Sequence, residues 1–188
     1  MPDNFLATNI SDGDLRFVPE CFLLVEGVVG GSIRVDFRAL PEISDSKSVR
    51  YSDQPIQGRA APVKTYAYSE NRTISFTMHI YVTKQEDIRI NLGIIRLIDS
   101  LAHPQYENSY LPPRVARLKC GKLLSEDELG VPVVLKSYEI QYDNSVQWFW
   151  DEGTQTYMPL HVAIPCQFDV VYSWTSLPGA ESVLRGNY

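Results

Sequence analysis

Imidazole and thiol groups are scarce in this sequence. Its 188 residues include three histidines, His79, His103 and His161, and three cysteines, Cys21, Cys120 and Cys166. The histidines fall on the polar side of one expected strand, beside Pro104 at a helix end, and at the start of another strand, so no catalytic cluster is legible in them. The cysteines are odd in number and widely separated, without metal-ligand or disulfide-framework spacing. That spacing predicts packing residues in a protein assembled in a reducing cytosol. No stretch reaches the ~18 consecutive apolar residues that a membrane-spanning helix needs, and none is expected. Met1 to Ile10 holds Asp3 and Asn4 where a secretory signal would run from basic to apolar. Basic charge is in deficit, 17 residues against 23 acidic ones, and a net charge of -6 gives no general attraction to nucleic acid or to an anionic membrane.

What is abundant is alternation. From Arg72 to Val82, Ile74, Phe76, Met78, Ile80 and Val82 share one side of a strand, while Thr73, Ser75, Thr77, His79 and Tyr81 share the other. One dry face and one wetted or partner-covered face is the signature of an antiparallel sheet. A second long run, Leu160 to Trp174, keeps the same period through Val162, Ile164, Cys166, Phe168, Val170 and Tyr172. Pro165 falls in its opposite phase, which predicts an edge or a bulge there. Further strands are expected over 20–27, 32–38, 114–120 and 133–142. With 44% hydrophobic residues, the chain reads as one mainly β domain over 20–174, with an N-terminal arm over 1–19 and a C-terminal tail over 175–188.

Two segments break the strand pattern. Residues 41–62 are rich in Ser, Asp, Gln, Pro and Gly and read as one long loop. Residues 86–102 read as a core helix, with Glu86 and Asp87 at its positive end and a wide apolar face built from Ile88, Leu92, Ile95, Ile98 and Ile90, Ile94, Leu97, Leu101. His103 and Pro104 end it.

Each chemically suggestive motif has a plainer reading. Glu86 and Asp87 could act as general acids, but a helix entry accounts for both. Glu126, Asp127 and Glu128 lack the spaced ligands of an EF-hand and read as an exposed turn. The paired glycines Gly30 and Gly31 lack a phosphate-loop lysine and a following helix, and read as a hairpin turn. Trp148, Phe149 and Trp150 stand out, because their neighbours Asp143, Asn144, Ser145, Gln147, Asp151 and Glu152 are polar. On the extended hairpin connection expected over 143–157, these rings either fold back on their own sheet or dock into another subunit. A carbohydrate platform is a third use.

The order of parts resembles a known family. Thr65 to Tyr68, Arg72 to Met78, the isoleucine-rich helix, Pro112 to Val115, Gly121, Lys136 to Asp143 and Pro159 to Phe168 together resemble the tube-initiator and hub-adaptor proteins of contractile phage tails, including the tube-like domain of LysM-bearing baseplate proteins. The likeness spans roughly 60–174. It implies an antiparallel β-sandwich or small barrel of tail-tube type flanked by an α-helix. It also implies a non-enzymatic virion protein, assembled in the host cytoplasm as a ring of its own copies, often a hexamer, between tail tube and baseplate hub or wedge proteins. DNA would be passing cargo only, and neither cofactor nor metal is implied. Unlike the LysM-bearing members, the sequence leaves no room for that module after Trp174. Candidate interface residues are Trp148, Phe149 and Trp150, Tyr51 and Arg59 on the 41–62 segment, His79 and Tyr81 on the polar strand face, and Pro165. The alternatives are a baseplate wedge or other tail component with the same fold and, in a different class, a small-ligand β-barrel.

Overall fold

The computed structural model describes residues 20–28, 31–105, 111–172, 177 and 179–184. In chain order the strands and helices are β1 (Cys21–Val28), β2 (Gly31–Asp36), β3 (Ile43–Ser46), β4 (Val49–Gln54), β5 (Val63–Ser69), β6 (Thr73–Tyr81), α1 (Gln85–Ser100), β7 (Ala116–Cys120), β8 (Val131–Tyr138), β9 (Gln141–Tyr142), β10 (Trp148–Asp151), β11 (Thr156–Pro159), β12 (His161–Val170) and α2 (Ala180–Leu184). The protein is mainly β, antiparallel throughout its named strand pairs, with one long helix. Among the described residues, no helix is long and apolar enough to cross a membrane.

The main sheet runs β2-β1-β7-β8-β12-β6-β3, and β9 adds to β12 beyond the end of β8. Register aligns the apolar phases of neighbouring strands. Leu23 pairs with Leu118, Ile164 with Met78, Cys166 with Phe76 and Phe168 with Ile74, so one face of the sheet becomes a single core. The sheet curls around that core. Phe37, just past β2, packs 5.5 Å from Phe76 on β6, near the opposite end of the strand order, and Phe76 stacks on Phe168 at 5.4 Å. β2 and β3 do not pair, so the curled sheet is not a closed barrel.

Helix α1 lays Leu97 and Ile98, with Ile94 and Ile95, into the same core. Its first turn is held by Asp87, whose Oδ2 accepts from the Thr83 and Lys84 backbone N–H groups, both at 2.9 Å, and from the Thr83 hydroxyl at 2.6 Å. This is the role that the sequence suggests for a carboxylate at a helix entry. Arg89, Arg96 and Ser100 are exposed on its outer side, whereas Gly93 is half-buried.

Three expectations need correction. Residues 41–62 are not one loop: β3 and β4 lie within them, leaving 41–42, the short link 47–48 and the β4–β5 connection irregular. The polar composition hid β3 because it is an edge strand, paired on one side only with β6. The strand expected over 133–142 is interrupted at Glu139 and Ile140, and the aromatic trio sits on a regular strand, β10, rather than on an open connection. The N-terminal arm lies outside the described residues, as do the central turn of the β1–β2 hairpin and most of 175–188 apart from α2.

Candidate interface surface

The β4–β5 hairpin is a ribbon with almost no dry side. Every residue of β4 and all of β5 except the half-buried Val63 are exposed. Tyr51, Tyr66 and Tyr68 are each more than half exposed, at 57%, 58% and 57%. The Tyr51 and Tyr66 rings meet edge to face at 6.2 Å. At the base, Arg50 Nε lies 2.5 Å from Glu70 Oε1. An isolated two-stranded ribbon is marginal in water, because one ladder of hydrogen bonds does not offset the ordering of two strands. Arg59 is exposed in the loop at its tip, where its N–H donates to Ile56 C=O.

The β10–β11 hairpin is anchored through Met158 and Asp151, while its aromatic residues stay open to solvent. Met158 is buried against Val82 and Ile88, and the buried carboxylate of Asp151 accepts from Gln85 Nε2 at 3.0 Å and from Thr154 Oγ1 at 2.6 Å. The Thr154 hydroxyl leads the contacts that hold the Asp151 carboxyl below its ordinary pKa, against the opposing effect of burial. Trp148, Phe149 and Trp150 nevertheless stay 37–46% exposed. Trp150 packs on Tyr157 at 4.6 Å and Trp148 on Tyr142 at 6.2 Å. The rings therefore neither fold fully onto their own sheet nor stand alone. Trp148 and Trp150, in one phase of β10, form with Tyr142 and Tyr157 an exposed aromatic strip on a fixed strand, while Phe149 lies in the opposite phase, paired with Met158.

The third region is the polar face of β6 and β12. The hydrogen bond from Val82 N–H to Leu160 C=O sets the phase, so Tyr81 with His161, His79 with Ala163 and Thr77 with Pro165 are non-hydrogen-bonded pairs, whose side chains lie closest. His161 stacks on Tyr81 at 5.0 Å and on His79 at 5.1 Å, and His79 Nδ1 lies 2.9 Å from His161 Nε2. Burial lowers the pKa of His161, His79 lowers it further, and Asp143 opposes them. One ring N–H donates to the other ring's nitrogen, the direction being set by the tautomers. Pro165 directs its N–H-less nitrogen toward β8 and β9, where that neighbouring strand is broken. Its carbonyl instead accepts from Glu139 N–H at 3.1 Å. The sequence position of Pro165 suggests an edge or a bulge; β12 is instead a central strand, paired with β6 on one side and with β8 and β9 on the other, and it tolerates the proline because the neighbouring strand is interrupted opposite it.

The structure thus groups His79, Tyr81 and Pro165 on one sheet face, and places Trp148, Phe149 and Trp150 on β10. Tyr51 and Arg59 belong to the protruding ribbon. Residues missed at the sequence level are Tyr66, Tyr68, Tyr157 and His161. The alternating tyrosines of Thr65 to Tyr68 were the available signal for the first two, whereas His161 needed the β6–β12 register. Asp99 gathers a further polar contact, accepting from the Tyr138 hydroxyl at 2.5 Å and lying 3.5 Å from His103 Nε2. Among the described residues, no three His, Cys, Asp or Glu side chains are grouped to hold a metal ion. No protein-family model and no curated protein matches the chain.

Proposed function

We propose that this protein is a non-enzymatic structural component of a contractile phage tail, a ring-forming adaptor that joins the tail tube to the baseplate hub and templates tube assembly. The observation that carries the reading is the β4–β5 ribbon, exposed along both strands and carrying Tyr51, Tyr66 and Tyr68 along them. Such a ribbon gains its missing dry side from a neighbour. The aromatic strip of β10 and the outer margins of β2 and β3, which pair with no other strand among the described residues, supply further surfaces for copies or tail proteins. The polar side of β6 and β12 suits a channel wall past which DNA moves, and the net charge of -6 disfavours its sticking. The small-ligand barrel is disfavoured, because Phe37, Phe76 and Phe168 fill the inside of the curled sheet.

Sedimentation and negative-stain imaging test this reading, with the protein alone at high concentration and mixed with tail-tube and hub subunits. Rings, or tubes that grow from the protein, are expected. A species that stays monomeric in every mixture would overturn it.

A further inference from the structure

Cys21 and Cys120 are 99 residues apart in sequence and directly opposite one another in the β1–β7 ladder. The hydrogen bond from Gly121 N–H to Glu20 C=O, 2.9 Å, makes residues 20 and 121 the hydrogen-bonded pair. The next pair inward, Cys21 with Cys120, is therefore of the non-hydrogen-bonded type, in which opposite side chains approach most closely. Both side chains are buried, and their Sγ atoms lie 2.6 Å apart. The pair is also one step from the end of its ladder, beside exposed Glu20, where local opening is easiest. Cys166 is different: it is buried alone on β12, with Ile164 C=O 3.6 Å from its Sγ.

We propose that Cys21 and Cys120 are a modification site, a thiol pair that becomes an intramolecular cross-strand disulfide when the protein meets a small peroxide. One thiolate attacks a peroxide oxygen, the O–O bond breaks and hydroxide leaves, giving a sulfenic acid. The second thiolate attacks that sulfur, the S–S bond forms and a second hydroxide leaves. In sum, two thiols lose two hydrogens, one hydrogen peroxide is reduced, and two waters result. Burial together with Cys21 pushes the Cys120 thiol up to about 12, so the reaction is slow at neutral pH and accelerates as pH rises. In the reduced state the thiols fill the core beside Leu23 and Leu118. Once oxidised, they tie β1 to β7 and close a long loop of chain.

The test uses the full chain and Cys166→Ala, each treated with hydrogen peroxide at pH 8, quenched with catalase, unfolded and alkylated. The expected result in the full chain is a fall from three alkylated thiols to one, a mass lower by two hydrogens before alkylation, and a peptide linking Cys21 to Cys120 that a phosphine reductant releases. In Cys166→Ala the fall is from two to none. The thermal midpoint of the oxidised protein rises by about 10 °C, and peroxide produces no such rise in Cys21→Ser. The proposal is overturned if all three thiols of the full chain remain alkylated. It is equally overturned if the cysteines gain oxygen without linking, or if the link joins two chains or involves Cys166. These readouts concern a single chain and do not depend on ring assembly.

Discussion

Arg38 reaches from beyond the end of β2 to the first turn of α1, where its Nη2 lies 2.9 Å from Asp87 Oδ1. Both side chains are nearly buried, 11% and 8% exposed, and Arg38 Nη1 also donates to Tyr81 C=O at 3.0 Å. Asn91 Nδ2 donates to the same carbonyl at 3.0 Å. One polar cluster therefore joins the β2 margin, the end of β6 and the helix start, and fixes the helix against the sheet.

Asp87 gives the first prediction. Burial alone would raise its pKa, but the Thr83 hydroxyl, the Arg38 guanidinium and two backbone N–H groups outweigh it and hold the carboxyl down at about 2. A depressed folded-state pKa contributes stability above the unfolded value, near 3.8, and the contribution is lost as pH falls toward 2. The shift corresponds to about 2 kcal/mol. Asp87→Asn leaves Arg38 buried without its counter-charge and should cost about 3 kcal/mol in urea unfolding at pH 7. The acid limb of its stability curve should be flatter below pH 4. An unchanged midpoint and an unchanged acid limb would show that the cluster is not a fastening.

His161 acts in a different pH range. Its folded-state pKa is lowered, by burial first and by His79 second, with Asp143 opposing. The folded protein therefore binds fewer protons than the unfolded chain just below pH 6.5, and stability falls as pH drops through that window. Urea midpoints measured between pH 7.5 and 5 should decline for the wild type and decline less for His161→Gln. Equal slopes for the two proteins would remove the imidazole pair as the cause.

Gly130 enters β8 with φ +80°, and a Cβ built there would sit 2.5 Å from Leu118 C=O on β7. That contact is with backbone and cannot be relieved by a rotamer change, and the backbone angle disfavours any L side chain. Gly130→Ala should lose about 3 kcal/mol. At Gly58, φ +87°, a Cβ would meet nothing within 4 Å, so Gly58→Ala should lose only about 1 kcal/mol. Denaturant titration of both variants checks the ranking, and equal losses would contradict the proposed clash.

These relationships differ in how far the chain alone discloses them. Ile74, Phe76, Met78 and Ile80, and Val162 to Val170, announce their strands because each has one fully dry face, and dryness leaves a period of two in the sequence. Likewise the broad apolar face of α1 follows from its depth in the core. Ser44, Asp45 and Ser46 announce nothing, since β3 is an edge strand whose charge is absorbed by an ion pair, Asp45 Oδ2 to Arg72 Nη2 at 2.5 Å. Tyr51 was visible as an aromatic on a polar segment, yet its partnership with Tyr66 is a matter of register. The same holds for His79 with His161 and for Cys21 with Cys120: sequence gives the residue types, and strand pairing alone brings them together.

The β4–β5 ribbon separates fold from assembly most cleanly. Tyr51 and Tyr66 are exposed and touch each other, so replacing both with serine removes little buried area from the single chain. The unfolding free energy of Tyr51→Ser/Tyr66→Ser should stay within about 0.5 kcal/mol of wild type. If a neighbouring subunit completes the ribbon, those rings become buried in the assembly, and the same double variant should weaken self-association or tube-linked assembly by at least about tenfold. Sedimentation over a concentration series, paired with urea unfolding of the monomer, measures both quantities on the same samples. A large loss of monomer stability would mean that the ribbon belongs to the core of its own chain. Unaltered association with unaltered stability would mean that the tyrosines face nothing in the assembly, and the neighbour contact would have to lie on the Trp148 to Trp150 strip instead.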